Sequence, residues 1–319
     1  MDQIASQSKG NLAVYVYCFS VAGILPLLSS NTVALAPSPH EGGLPIGGEE
    51  GAGSKPAPPD LDRPQHNTPP IREGTIEPNS TLLALGPGVD ESRPILVHIV
   101  GRLSAVVSWV ALEDFTGEVG EANLQDIAWL GPRACRHAIV VEQVMAVAPV
   151  FPLPFGALFS SLAVLEQEIN HRSVEIASVL EKVSGCQEWA VEGSLDRNAA
   201  IEYRLVEGLQ SGRLKLPDAI GRRHLEEQKI RRQLAADLGD WLSERLESLQ
   251  QELARFACDF RQRRLTENKV SHWAFLVPEG QVEAFKNTLG QLVRQQEAFG
   301  LALRLTGPWP PYTFSQSAQ

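Results

Sequence analysis

The sequence lacks the excess of positive charge that nucleic-acid-binding proteins use. Among 319 residues it has 28 Lys and Arg against 38 Asp and Glu, which gives a net charge of -10. Because affinity for a phosphate backbone depends on clustered Lys and Arg side chains, nucleic acid is not an expected partner. The length is sufficient for two ordinary domains.

Cysteine is also scarce and widely spaced. Cys18, Cys135, Cys186 and Cys258 form no C-x-x-C pair and have no neighbouring histidines at metal-ligand spacing. We therefore expect reduced, mostly buried thiols of a cytosolic protein and no bound metal. A disulfide framework is the minor alternative for a chain of this length.

The motifs of common enzyme families are missing as well. The sequence has no G-x-S-x-G, no P-loop, no G-x-G-x-x-G between a strand and a helix, and no H-E-x-x-H. His137 lies near Cys135 and Glu142, but residues two apart on a helix point in different directions. His137 is therefore expected to be a satisfied or exposed histidine. We predict a protein that is not an enzyme, with no cofactor and no small-molecule substrate.

An apolar run near the N-terminus resembles a secretory signal. It extends over residues 12–28 and is followed by the small residues Ala34 and Ala36. Within the run, however, Leu12, Val14 and Val16 alternate with Ala13, Tyr15 and Tyr17, which is typical of a buried strand. The run is also shorter than the ~20 residues of a membrane-spanning helix. We predict a strand and a cytoplasmic protein without a membrane partner. Secretion with cleavage after Ala36 is the alternative.

Proline and glycine are concentrated between residues 29 and 93, where aromatic and β-branched residues are few. Such a segment cannot bury enough apolar surface to offset its ordering entropy. We predict a disordered insertion, which is either a plain linker or a docking arm.

Apolar periodicity predicts the ordered elements. Strands are expected at 12–19, 95–101, 103–110, 188–191, 271–277 and 301–306, and helices at 160–185, along a stripe from Leu225 to Phe260, and at 281–299. This order indicates an α+β protein with antiparallel sheets, whose C-terminal part is a variation on the ferredoxin-like plan with long helices. The predicted divisions are an N-terminal α/β domain at 1–28 and 94–160, the insertion at 29–93, a helical and ferredoxin-like C-terminal domain at 161–306, and a tail at 307–319.

Two segments combine proline with aromatic residues. The tail carries Pro308, Trp309, Pro310, Pro311, Tyr312 and Phe314, and the proline-rich segment after residue 147 carries Phe155 and Phe159. Prolines hold a backbone extended, and preordered aromatic side chains bind at low entropic cost. These residues are candidates for protein binding. For the tail, folding back onto its own domain is an equal alternative.

Several blocks of the sequence resemble the GvpL/GvpF family of gas vesicle proteins. In chain order they are VYVYCF at 14–19, LSAVVSWV at 103–110, AVAPVFPLPFGALFSS at 146–161, GCQEWAVEG at 185–193, HWAFLVPE at 272–279 and GPWPPYTF at 307–314. The most specific are the last block and PFGALF. The long insertion departs from the family pattern.

The resemblance implies two α/β domains and an accessory or structural role in gas vesicle organization. It also implies contacts with the hydrophobic shell protein and other gas vesicle proteins, with no catalysis and no cofactor. The alternative is a ferredoxin-like ligand-binding or regulatory module in which PFGALF lines a small-molecule pocket.

Overall fold

The computed structural model describes residues 11–24, 28, 79–83, 85–266 and 268–315. In this range the chain forms two antiparallel sheets, one of six strands and one of four, each packed against helices. The predicted mixture of helices and antiparallel sheets is confirmed.

The first sheet is built around its N-terminal strand. Its order is β2-β3-β4-β1-β5, and β6 also pairs with β1. The strands are β1 (Leu12–Val21), β2 (Ser80–Leu83), β3 (Ile95–Val100), β4 (Leu103–Ala111), β5 (Phe151–Pro152) and β6 (Leu158–Phe159). Residues 13–20 of β1 are all buried. A strand covered on both faces carries apolar side chains on both, which accounts for the part of the apolar run that lies in β1.

Helices cover both faces of this sheet. They are α1 (Gly117–Gln125), α2 (Ile127–Met145), α3 (Leu162–His171) and α4 (Ser173–Val183). On one face, α2 packs through Val140, Val141 and Val144. On the other face, α3 and α4 pack through Leu162, Leu165, Ile169, Ile176 and Leu180. The unit is therefore a sheet between two helical layers. Within the described residues, no helix has the length and apolarity needed to cross a membrane.

The structure differs from the predicted boundary between residues 160 and 161. Both α3 and α4 follow that boundary in sequence, yet they bury their apolar stripes against the first sheet. The single helix expected at 160–185 is also divided in two at Arg172, whose backbone (φ -98°, ψ 13°) departs from helical geometry. An amphipathic stripe shows that a helix packs on something but does not identify the sheet.

The predicted insertion at 29–93 ends earlier than expected. Residues 29–78 lie outside the described part of the chain. Ser80–Leu83, however, forms β2, which pairs with β3 in register from Ser80 opposite His98 to Leu83 opposite Ile95. Val89 is buried in the first core, and its backbone N–H donates to the Tyr17 hydroxyl at 2.9 Å. The last part of the segment therefore belongs to the first sheet.

The second sheet has the order β10-β7-β9-β8. Its strands are β7 (Cys186–Leu195), β8 (Asp259–Gln262), β9 (Ser271–Pro278) and β10 (Leu301–Trp309), and the helices that follow β7 and β9 are α5 (Arg197–Gln210), α6 (Ile220–Ala236), α7 (Leu238–Ala254) and α8 (Val282–Glu297). One face of the sheet packs against α7 and α8 through Trp189, Trp273, Phe275, Leu253 and Phe285. The ferredoxin-like assignment of this part stays a prediction.

The helical stripe expected from Leu225 to Phe260 is interrupted. The helix breaks at Asp237 between α6 and α7 and ends at Ala254, so that Phe260 lies in β8 and packs on Phe275. Apolar residues at helical spacing continued across both breaks, and the periodicity alone therefore did not reveal them.

Replacing Leu165 by Ala tests the assignment of α3 to the first sheet. Leu165 is fully buried, whereas its neighbour Val164 is exposed. Loss of the buried side chain should lower the free energy of unfolding by about 3 kcal/mol, because a cavity remains. Denaturant titration measures this loss, and Val164→Ala serves as the control. Hydrogen exchange that increases in β8 and β9 rather than in β1 and β4 would contradict the assignment.

Candidate functional site at the junction of the two sheets

The C-terminal tail returns to the body of the protein instead of extending from it. Its first residues continue β10, where Trp309 pairs with Glu188 of β7. Gly307 precedes this pair with φ +132°, and a Cβ at this position would lie 2.9 Å from the Glu188 carbonyl oxygen. Only glycine fits this backbone without strain. Pro310 and Pro311 are buried, whereas Pro308 is exposed.

Phe314 is the apolar anchor of the tail. It lies in the short helix α9 (Tyr312–Ser315) and is 2% exposed. Its neighbours are Val183 at the end of α4 and Ala274 and Leu276 on β9. Because α4 belongs to the first sheet and β9 to the second, this ring fills the space between the two units.

A buried carboxylate holds the neighbouring residue. Glu188 is 1% exposed, and its two carboxylate oxygens accept hydrogen bonds from the Thr313 backbone N–H at 3.1 Å and from the Thr313 hydroxyl at 2.6 Å. Burial raises the pKa of Glu188, and the two bonds from Thr313 act in the opposite direction. Thr313 thus supplies the donors that a buried carboxylate requires.

The hydroxyl of Tyr312 reaches the core of the first unit. It lies 3.1 Å from Nε2 of His137, which is also 3.1 Å from the Leu153 carbonyl oxygen. A carbonyl only accepts, so Nε2 carries the proton in the neutral ring. Nδ1 then accepts from the Tyr15 hydroxyl at 2.8 Å, and that oxygen accepts from the Gly156 N–H at 3.3 Å. One histidine therefore joins β1, α2, the proline-rich segment and the tail.

Phe155 and Phe159, the other candidate binding residues, lie on opposite faces of the first sheet. Phe155 is half-buried and contacts the rings of Tyr15, Phe115 and His137. Phe159 in β6 packs against the core on the α3–α4 side. The structure therefore brings Phe155 close to the tail but leaves Phe159 apart from it. The tail folds back onto the protein, which is one of the two alternatives given for it above.

Sequence reasoning did not assign His137 and Glu188 to this junction. A signal for His137 was present, because it lies on one helical face with Val140, Val141 and Val144 at spacings of three, four and seven. The expectation of a satisfied histidine fits its three hydrogen-bonding contacts. Glu188 opens the short strand predicted at 188–191, but β7 also contains Gln187 and Glu192, so its sequence did not mark Glu188 as buried, and its partner Thr313 is distant in sequence.

A small cleft lies beside the tail. Its volume is about 230 Å³, and it is lined by residues 145–150, Val183, Gly185, Cys186, Glu188, Glu279, Trp309 and Pro311. Drug-sized ligands usually occupy pockets of about 300–1,000 Å³. The PFGALF residues are absent from this lining. A second groove, of about 550 Å³, lies on α5 and α6, and its lining also contains no residue of PFGALF.

Exposed apolar side chains are present on a different part of the first unit. Val119 and Leu124 on α1 are 58% and 43% exposed, and Ile127 at the start of α2 is 83% exposed. The two helices contact each other, and Trp129 packs at a ring distance of 5.3 Å on Phe115, a partly buried residue that packs against the first core. We refer to Val119, Leu124 and Ile127 as the hairpin patch.

In the described parts of the chain, no group of three or more His, Cys, Asp or Glu side chains is arranged to hold a metal ion.

A family model described as "Gas vesicle synthesis protein GvpL/GvpF" matches residues 57–316 of this chain. The chain belongs to this family. "Gas vesicle protein L" from Streptomyces sp. (strain CB03234) is 26% identical over 232 residues, which cover 69% of this chain and 82% of that protein. Membership in the GvpL/GvpF family supports an accessory role in gas vesicle formation and association with gas vesicles.

Two crystal structures share the fold of this GvpL/GvpF chain. GvpF from Anabaena sp. PCC7120 aligns with a TM-score of 0.55 and 17% identity over 97% of this chain and 98% of that one. GvpF from Microcystis aeruginosa aligns with a TM-score of 0.54 and 16% identity over 96% and 99%. At this level of identity, the similarity concerns the fold.

The buried histidine gives the GvpL/GvpF chain a defined acid sensitivity. Burial lowers the pKa of His137 to about 4, whereas an unfolded histidine has a pKa of about 6.5. Because the folded-state pKa is depressed, the unfolded chain binds the proton first, and the contribution of His137 to the free energy of unfolding falls by about 3 kcal/mol as pH drops from about 6.5 towards 4. The facing groups, Tyr15, Tyr17 and Tyr312, have raised pKa values and stay neutral in this window.

Denaturant titrations across this pH range measure the effect. His137→Gln should flatten the profile, whereas His171→Gln, at an exposed position, should leave it unchanged. An NMR titration of the native protein provides a second reading that does not depend on the stability of the variant. A His137 resonance that titrates near pH 6.5 would contradict the burial argument.

Proposed function

We propose that this GvpL/GvpF protein is a cytoplasmic accessory protein of gas vesicle assembly that binds the hydrophobic shell protein through the hairpin patch and also contacts other gas vesicle proteins. Membership in the GvpL/GvpF family supports the accessory role in gas vesicle assembly. The observation that supports the shell contact is the exposure of three large apolar side chains on two consecutive helices, α1 and the first residue of α2.

The chemistry of a gas-filled shell supports an apolar contact. Its inner surface must repel water, so the shell subunit has a large apolar surface before assembly. Exposed apolar surface of that kind aggregates unless a partner covers it. A chaperone-like partner needs an apolar patch of its own and an exterior that stays soluble. The net charge of -10 on this chain suits that requirement.

The position of the tail also favours the hairpin patch. Phe314 and Tyr312 are engaged by the cores of both sheets, and a partner could reach these rings only by displacing them. The hairpin patch requires no such rearrangement, because its side chains are already in contact with solvent. Anchoring by Trp129 on Phe115 keeps the hairpin in place, so little ordering entropy is lost when a partner binds.

The alternative of a ligand-binding module has less support. It requires a pocket lined by PFGALF, and neither cavity described above has that lining. The cleft beside the tail is also smaller than most small-molecule sites. Co-purification of the shell protein with this chain distinguishes the two functions.

A double variant tests the hairpin patch directly. Replacing Val119 and Ile127 by Ser removes apolar area that would be buried in the complex, so the affinity for purified shell protein should fall at least about tenfold, or about 1.4 kcal/mol. The matched control replaces Val164 and Val174, which are exposed on α3 and α4, by Ser.

Melting curves establish that both variants are folded, and vesicle yield in cells provides a second measurement. Equal binding by the hairpin variant, the control and the parent protein would exclude the hairpin patch as the contact. A parent protein that binds no shell protein under these conditions would contradict the proposed function itself.

A further inference from the structure

Two cysteines that are distant in sequence meet at one end of the second sheet. Cys186 is the first residue of β7, Cys258 directly precedes β8, and their Sγ atoms are 3.6 Å apart. Both cysteines are free thiols, and the expectation of mostly buried thiols is wrong, since Cys258 is exposed and Cys186 only partly buried. The contact brings together residues separated by 72 positions and therefore depends on the fold.

The same strand holds the backbone of both cysteines. Cys186 pairs with Pro278 of β9, and the Cys258 N–H donates to the Leu276 carbonyl of β9 at 2.8 Å. β9 lies between β7 and β8 in the sheet, so the cysteines are on next-nearest strands. Shortening the 3.6 Å gap between the sulfur atoms to the ~2.05 Å of a disulfide therefore requires backbone movement at this end of the sheet as well as rotation of the side chains. We propose that Cys186 and Cys258 form a thiol–disulfide exchange site, which closes to an intramolecular disulfide in the presence of a small disulfide such as oxidised glutathione.

The two thiols have different roles in this exchange. Cys258 is exposed, whereas Cys186 is partly buried. Burial, followed by the contact with Cys258, raises the pKa of Cys186 to about 11. The reagent therefore meets Cys258 first, because the Cys258 thiol is exposed and the Cys186 thiol is partly buried.

The reaction balances in two steps. The Cys258 thiolate attacks one sulfur of oxidised glutathione, which forms a mixed disulfide and releases one glutathione thiolate. Cys186 then gives its proton to solvent, and its thiolate attacks the Cys258 sulfur and releases the second glutathione. Two protein thiols are oxidised to one disulfide, and one glutathione disulfide is reduced to two thiols.

In the disulfide form, Cys186 in the cleft beside the tail would be covalently linked to Cys258 next to β8, the edge strand of the second sheet. Cys186 lines that cleft, and the loop closed by the bond contains β7, α5, α6 and α7. Cross-linking restricts the unfolded chain, so oxidation should raise the melting temperature. This site does not depend on the proposed binding of shell protein.

The test uses the full chain, fully reduced and then incubated with oxidised glutathione near pH 8. Alkylation of the remaining thiols and mass spectrometry of peptides should show a Cys186–Cys258 linkage as the main product. Cys135→Ser, which removes another exposed thiol, should give the same linkage. Cys186→Ser should instead accumulate glutathione on Cys258, at least about tenfold faster than Cys258→Ser accumulates it on Cys186.

The proposal is overturned if the parent chain stops at a glutathione adduct on Cys258, or if Cys135 provides the partner. It is also overturned if the linkage forms equally fast in concentrated urea, because the folded contact would then have no part in it.

Discussion

The buried carboxylate of Glu188 is the constraint on which the junction depends. A carboxylate removed from water is costly unless hydrogen bonds replace its hydration. Thr313 supplies two of them, at 3.1 and 2.6 Å, so the folding of β7 is coupled to the return of the tail. Once Thr313 is held, its neighbours are placed as well. Phe314 fills the space between α4 and β9, and Tyr312 reaches His137 in the first unit.

This arrangement separates the residues that hold the protein together from those available to a partner. Tyr312 and Phe314 form an internal strap between the two sheets, whereas Trp309 pairs within the second sheet. The hairpin patch lies on α1 and the start of α2, and its side chains are exposed while α2 itself is anchored in the core. Exposed apolar side chains next to an anchored helix suit the binding of a water-repelling subunit that we propose for this accessory protein.

The sequence predicted the local structure better than the assembly of its parts. The short apolar run of β1 and the helical periodicity of α8 predicted both elements, because a strand buried on both faces is apolar throughout and a helix buried on one face carries a periodic stripe. The pattern could not show that α3 and α4 pack on the first sheet, since it records which face is apolar and not what covers it. β2 was missed because four residues among prolines and glycines carry little periodicity. The contact between Thr313 and Glu188 was not predictable, because it joins residues 125 positions apart.

The most direct measurement of the strap compares hydrogen exchange in two shortened chains. One ends at Trp309 and keeps all of β10, and the control ends at Ser315 and keeps the complete strap. Loss of residues 310–315 should increase exchange in both units, around His137 in α2 and at the start of β7, while α8 remains protected. Unchanged exchange in α2, with any effect confined to β7 and β10, would contradict the conclusion that the tail holds the two sheets together.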